Sequence, residues 1–240
     1  MGTSAETVGD SVQTVDEPAA QVQSTRKADA GLPQQKRVAM VPREQLMRSI
    51  SAMGRDAGIV LVQAPAGFGK TSLLLLYSAW VKEDPQRGQA RLIDASRREI
   101  KGVIEFLDDA AHESIAAVRP LLGLDNVSVK NKDEAQELAS AVRACREAGC
   151  EIVLACEPGQ VELVTALGDS AKVGARQLCV QPQEYATWIK TLMIDSTLDA
   201  YRLTAGIPSL VAALQTIAGE KRFPVPDDMS AAAFGVWVIA

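Results

Sequence analysis

Residues 59–76 constrain this chain more than any other stretch. They read Ile59-Val-Leu-Val-Gln-Ala64-Pro65-Ala66-Gly67-Phe68-Gly69-Lys70-Thr71-Ser72-Leu-Leu-Leu-Leu76. An apolar, β-branched run leads into a glycine-containing turn that ends in Lys-Thr, and a long apolar, helix-forming run follows. The order is strand, loop, helix. It matches the phosphate-loop pattern G-x-x-x-x-G-K-[ST], with Ala64 standing where the first glycine is usual. Gly67 and Gly69 let the backbone take positive φ and approach a phosphate with no Cβ in the way. Successive N–H groups of such a turn form a concave nest for anionic oxygens, and the N-terminus of the next helix adds its positive end to the same spot. Lys70 is expected to reach the β- and γ-phosphates of a nucleotide, and the Thr71 hydroxyl to ligate Mg²⁺. Pro65, Ala66, Gly67, Phe68, Gly69, Lys70, Thr71 and Ser72 are the expected binding residues, with ATP or ADP and Mg²⁺ as ligands.

The rest of the chain supplies the sheet that such a loop needs. Further strands are expected at Ala90–Ala95, Leu121–Asp125, Glu151–Cys156 and Arg176–Val180. Helices are expected from Glu44 to about Met53, over Thr71–Val81, from Arg98 to Val118, and over Asn131–Glu147 and Val161–Leu167. Three more are expected at Gln183–Leu192, Leu198–Thr204 and Pro208–Ala218. Gly54 to Gly58 reads as a turn cluster, and Gly149 as a helix cap. Strands alternating with helices of this length predict a three-layer α/β fold of the P-loop NTPase kind, with a parallel sheet of about five strands. A small C-terminal helical subdomain completes it. Residues 1–36 show no apolar periodicity and are expected to be disordered. The nucleotide-binding domain is placed at 37–195 and the start of the helical subdomain at 196–225. Residues 226–240 read as an apolar tail whose partner element is cut off.

A phosphate loop alone does not hold Mg²⁺. An apolar strand ending in Asp usually completes the site, and Leu121–Asp125 fits, which makes Asp125 the second expected metal ligand beside Thr71. Hydrolysis also needs a group that orients or deprotonates the attacking water. Many P-loop ATPases place an acid directly after the strand-ending Asp, where this chain has Asn126. An amide can hydrogen-bond a water but cannot take its proton, so Lys70, Asp125 and Asn126 make a catalytic set expected to bind well and turn over slowly. Glu157, after the fourth strand, is at the correct sheet edge to substitute, although a solvated loop acid there needs no function.

Composition narrows the partners. Among 240 residues the net charge is −5, which argues against a basic nucleic-acid-binding face. No direct DNA binding by this chain alone is expected. The four cysteines, Cys145, Cys150, Cys156 and Cys179, contain no Cys-x-x-Cys pair, and His112 is the single histidine, so zinc and Cys-His catalysis are disfavoured. Cys156 and Cys179 read as buried strand residues, and a reducing cytoplasm is the simplest compartment. No apolar run approaches the length of a membrane span.

Four stretches carry a resemblance. They are Val41-Pro42-Arg43-Glu44-Gln45-Leu46, Ala64 to Leu73, Leu121–Asp125, and Leu203-Thr-Ala-Gly206-Ile-Pro208-Ser-Leu210. In this order they resemble the nucleotide-binding domain of STAND NTPases, and more closely that of the large ATP-dependent LuxR-type regulators and the maltose-regulon activator, over roughly residues 37–220. The loop form Ala-Pro-Ala-Gly-aromatic-Gly-Lys-Thr is that group's, which accounts for Ala64. The resemblance implies a transcription-regulating switch, closed with ADP and open with ATP, with any self-association belonging to the ATP state. It implies that Arg43 contacts nucleotide and that Pro208 packs near the adenine. This chain departs from the group at Asn126, and at Cys156-Glu157-Pro158 where a sensor residue is common. A small-molecule kinase and a non-catalytic nucleotide-binding module remain as alternatives. Acceptor-dependent ADP formation would mark the first and absence of phosphate release the second.

Overall fold

The computed structural model describes residues 43–85, 87, 89–113, 119–184 and 200–220. The expectations placed on residues 1–36, on Val41 and Pro42, on 114–118, on 185–199 and on the 226–240 tail lie outside them.

Five strands form a single parallel sheet. They are β1 (Ile59–Gln63), β2 (Ala90–Asp94), β3 (Leu121–Val127), β4 (Glu151–Cys156) and β5 (Ala171–Gly174), in the order β2-β3-β4-β1-β5. Helices α1 (Glu44–Ala57), α2 (Lys70–Glu83), α3 (Ile100–Glu113), α4 (Lys132–Glu147) and α5 (Val161–Leu167) flank it. The short α6 (Ala175–Leu178) follows β5, and α7 (Ala200–Thr204) and α8 (Pro208–Glu220) come from the C-terminal part. This is the α/β architecture expected of a P-loop NTPase.

The central strands β1, β3 and β4 are mostly apolar because both sheet faces are covered there, whereas the edge strands β2 and β5 carry Arg91 and Lys172. Ile59, Leu61, Leu122, Leu124, Ile152 and Leu154 point into a core closed by α3, α4 and α5. Val60, Val62, Leu121, Val153 and Val173 point the other way, into a core closed by α1 and α2 with Leu73, Leu74 and Tyr77. Asn131 caps α4, its side-chain oxygen accepting the Glu134 N–H at 2.9 Å, and Gly149 follows that helix with φ of 92°, as expected. Among the described residues no helix is long and apolar enough to cross a membrane.

Helix α1 and the fifth strand differ from the sequence reading. Helix α1 continues through Gly54, which was expected to open a turn. A Cβ at Gly54 would lie 2.5 Å from Glu151 Oε1, so the glycine is there to let α1 press against β4, not to break the helix. The fifth strand is Ala171–Gly174 rather than Arg176–Val180. Ala175–Leu178 turns helical, and Cys179 is only partly buried in place of the expected strand interior. The Leu178-Cys-Val180 run gave a strand-like apolar signal, but Leu178 packs into the core from a helical turn.

At the N-terminal edge of β4 the carboxylate of Glu151 is fully buried. It accepts the Tyr77 hydroxyl at 2.5 Å and pairs with Arg87, which also donates to Ser51 Oγ at 2.9 Å. Burial, and then the Glu151 charge, raise the Tyr77 pKa, so the phenol stays protonated and donating. Four residues from α1, α2, the 84–89 connection and β4 thus share one charge-assisted network. Removing one partner of a buried ion pair costs about 3–5 kcal/mol because the other charge is left uncompensated. Arg87→Ala should therefore lose about that much stability in urea denaturation, and Glu151→Gln added to it should recover part of the loss. A single variant no less stable than the double would refute this account.

Candidate functional site

The candidate site lies at the C-terminal edge of the sheet, where open parallel sheets bind ligands. Strand β1 ends at Gln63, level with Cys156 of β4. The ladder extends one step, with the Ala64 N–H donating to Cys156 O at 3.3 Å, and Ala64 is fully buried. The chain then turns through Pro65, Ala66, Gly67 and Phe68 to Gly69. Gly67 has φ of 82° and Gly69 φ of 80°, the left-handed values the sequence pattern requires. Phe68 packs partly buried beside the α1 and α2 core. Gly69 caps α2, so the loop sits at a helix N-terminus, and Thr71 and Ser72 are exposed on its first turn.

Lys70 is 7% exposed. Its Nζ donates to Ala64 O at 2.8 Å and to Pro65 O at 3.0 Å, inside the loop. Those carbonyls satisfy an ammonium that would otherwise be buried without acceptors.

The second half of the site comes from β3. Its strand runs past Asp125 to Val127, two residues beyond the expected end. The pairing with β4 shifts between Leu124 and Val127, and Asn126 takes φ of 53° at that irregularity. Asn is among the few residues that tolerate this region. The kink leaves Asp125 9% exposed and turns Asn126 outward. The Asn126 N–H donates to Asp125 Oδ1 at 3.0 Å. Its side-chain Nδ2 donates to Asp94 Oδ1 at 3.2 Å and reaches Asp125 Oδ2 at 3.5 Å. Asp94 ends β2 directly opposite Asp125. It also accepts the Ser96 hydroxyl at 2.7 Å and the Ser96 N–H at 3.1 Å, and lies 3.1 Å from Arg97 Nε. The Ser96 hydrogen bond, and then that from Asn126, hold the Asp94 carboxyl below the usual carboxylate range. Glu157 is exposed after β4, while burial pushes the Cys156 thiol up to about 11. Among the described residues no three His, Cys, Asp or Glu side chains converge on a cation position. A hard cation here would need phosphate oxygens as further ligands, which is how Mg²⁺ is usually held.

Two C-terminal residues meet the loop. The Ser209 N–H donates to Gly67 O at 3.1 Å, and a Cβ on Gly67 would lie 2.7 Å from Ser209 Oγ. A Cβ on Gly69 would lie 3.3 Å from the Pro208 ring. Pro208 is thus brought to the loop, and Ser209 with it. Arg43 is placed differently. Its guanidinium is 8% exposed and donates to Leu178 O at 2.6 Å, Cys179 O at 2.9 Å and Glu184 Oε2 at 2.9 Å, fastening the start of α1 to the segment after β5. Its Nε has no partner among the described residues. A groove of about 610 Å³ opens beside it, lined by Leu46, Met53, Arg176, Gln177 and Glu184 among others.

The sequence reading did not single out Asp94 or Ser209. Asp94 carries the same signal as Asp125, an acid closing an apolar strand. Ser209 sits inside a stretch already marked for its glycine and proline.

No protein-family model matches this chain, and no curated protein matches it. Solved structures do resemble it. Domain III of the Thermotoga maritima replication initiation protein DnaA aligns with a TM-score of 0.50 at 10% identity, over 84% of this chain and 92% of that one. The replication initiator DnaA bound to AMPPCP and single-stranded DNA aligns with a TM-score of 0.54 at 14% identity, over 75% of this chain and 60% of that one. C. elegans PCH-2 aligns with a TM-score of 0.47 at 15% identity, over 83% of this chain. The chain spans 62% of the PCH-2 chain's length. At such identities the DnaA likeness is one of fold, the five-stranded parallel sheet with flanking helices.

The junction of loop and C-terminal helices can be tested at Gly206. It has φ of 72°, its carbonyl accepts the Val180 N–H at 2.9 Å, and any Cβ would collide with the Val180 carbonyl. A side chain in such a conformation costs about 1–3 kcal/mol. Gly206→Ala should speed hydrogen exchange across Pro208–Glu220 while leaving the sheet protected. Unchanged exchange there would show that this packing is not needed.

Proposed function

We propose that this chain is an ATP- or ADP-binding domain that works as a nucleotide-dependent switch with weak hydrolysis, of the STAND type found in LuxR-like transcription regulators. The observation that carries the reading is the contact of Pro208 and Ser209 with Gly67 and Gly69. A residue pair from the C-terminal helices rests on the part of the loop that would hold phosphate, so nucleotide state and helix position are mechanically joined. DnaA, of like fold, was solved with the ATP analogue AMPPCP, which supports nucleotide as the ligand class.

When bound, Mg²⁺ would be held by the Thr71 hydroxyl and the Asp125 carboxylate, and would neutralise phosphate charge. The residues of the chain do the rest. Loop N–H groups orient the phosphates and Lys70 exchanges its carbonyl partners for phosphate oxygens. Asn126 can orient a water but cannot accept its proton. Arg43 serves the switch by tying α1 to the segment after β5, and any self-association belongs to the ATP state. Direct DNA binding is not part of the reading, given a net charge of −5. A non-catalytic nucleotide-binding module is the second reading, favoured by the amide at Asn126.

Lys70→Ala tests the site. A charge-assisted contact to phosphate is worth about 2–3 kcal/mol, or roughly 30- to 150-fold in affinity. Calorimetry with ATP and Mg²⁺ should show that loss. Equal affinity in the variant would refute nucleotide binding at this loop.

A further inference from the structure

We propose that this chain binds a second copy of itself, an arginine cluster at the N-terminal edge of the sheet meeting an acidic groove between α3 and α4. Neither surface includes a residue of the candidate site. The contact is therefore separate from the self-association that the switch reading places in the ATP state, and it does not rest on that reading.

The arginines gather on the last turns of α1. Ser51 Oγ accepts from Arg55 Nη1 at 3.0 Å and from Arg87 Nη1 at 2.9 Å. Gly54 O accepts from Arg119 Nη2 at 2.8 Å, at the entry to β3. Arg146, in the last turn of α4, lies over Gly58, where a Cβ would come 2.8 Å from its Cγ and Nε. Four elements thus bring their guanidiniums to the carbonyl end of one helix, which favours cations. Arg87 is neutralised by Glu151. Arg55, Arg119 and Arg146 pair with no carboxylate among the described residues, and Arg55 and Arg146 are exposed.

On the other side of the sheet, α3 and α4 leave a groove of about 730 Å³ between them. Glu105 and Asp108 line it from α3 and Glu137 from α4, against a single lining cation, Lys101. Ile104 and Ala141 give it an apolar part. The three acids are exposed, and none pairs with a cation among the described residues.

Each copy therefore carries three guanidiniums and three carboxylates that it leaves unpaired, on two separate surfaces. A second copy supplies both sets of partners. Arginine suits the groove, since its planar head meets a carboxylate through two donors while its stem covers apolar side chains. The two surfaces differ, so the contact is heterologous and a pair of copies keeps one of each free for further copies. A net charge of −5 disfavours nucleic acid as the occupant of the arginines. Exposed ion pairs are individually weak and screened by salt, so this contact forms through several together and is salt-sensitive.

Sedimentation velocity of the full chain without nucleotide tests this. Association should be present at about 0.01 M ionic strength, where screening acts over about 30 Å, and absent at about 1 M, where it acts over about 3 Å. Arg55→Glu with Arg146→Glu should weaken association at low salt by about tenfold or more, because like charges then face each other. Glu105→Lys with Glu137→Lys should do the same from the groove side. Mixed in equal amounts, the two variants should associate again, each new charge meeting its opposite. If the arginine pair lowers the melting temperature, the groove pair, on exposed helix positions, carries the test alone. A native chain that stays monomeric at low salt would overturn the proposal. So would association that survives about 1 M salt, or that the groove pair leaves unchanged, or a mixture of two stable variants that stays monomeric. Capture of a short single-stranded DNA by the native chain, lost in the arginine pair and without self-association, would assign the arginines to nucleic acid and overturn it as well.

Discussion

The parallel pairing of β1 with β4 is the constraint on which the candidate site depends. It sets Gln63 beside Cys156, and β4 in turn sets Cys156 beside Val127 of β3. Three strand ends therefore open on one edge, bringing the loop, Asp125 and Glu157 to the same side. The pairing is fixed by burial on both faces. Ile59 and Leu61 belong to the core under α3 to α5, whereas Val60 and Val62 belong to the core under α1 and α2. A slip of one residue would exchange the two sets against helices shaped for the other, a cost that pins the register. The sheet thus aims the loop before any ligand arrives.

The two ends of the sheet use polar groups in different ways. At the N-terminal edge, Glu151, Tyr77, Arg87 and Ser51 satisfy one another in a buried network. A buried charge with its partners in place resists local opening, because any opening leaves it unpaired. At the C-terminal edge the polar groups are less committed. Thr71, Ser72, Asn126 and Glu157 are exposed, and the buried Lys70 rests on two loop carbonyls, which in the proposed reading it leaves for phosphate oxygens. Rigid pairing at one end and replaceable pairing at the other is the distribution a ligand site requires.

Much of this was legible in the sequence, and the exceptions have physical causes. The Gly67-to-Thr71 pattern specified a backbone conformation as well as a composition, and both glycines take the φ it demands. Strand β4 was legible to the residue, since a continuous apolar run bounded by polar turns has one parallel-sheet reading. Strand β5 was not. Ala171–Gly174 is four residues long with little apolar content, and the stronger apolar run after it belongs to a helical turn. Gly54 was misread because a helix glycine that serves close packing has the same local signature as a breaker. The spacing of Asp125 behind Lys70 was visible, yet the kink at Asn126 was not, because a backbone irregularity depends on the partner strand. Asp94 was visible only as a strand-ending acid. Its place beside Asp125 is set by the strand register, a fact of pairing that no single stretch of sequence contains.

The C-terminal helices bear on the loop through a short and stiff connection. Gly206 is held at one end by the Val180 N–H, and Ser209 at the other donates to Gly67 O. Between them Pro208 fixes its own φ and presents its ring to Gly69. Val180 itself follows the segment whose carbonyls at Leu178 and Cys179 take the Arg43 guanidinium. A displacement of the loop backbone at Gly67 would therefore be felt at Ser209, carried through Pro208 to Gly206, and passed by way of Val180 to Arg43 at the start of α1. From Gly67 to Val180 each link is a backbone hydrogen bond or a proline contact, and only the last, through Arg43, runs through a long side chain. Thus the fit of a phosphate into this loop and the seating of helices α1 and α8 are not independent: a ligand that shifts Gly67 by a few tenths of an ångström must either be accommodated along the entire connection or break it at its weakest bond. In the proposed switch that choice falls first on the hydrogen bond between Ser209 and Gly67, at 3.1 Å the longest of these links among the described residues.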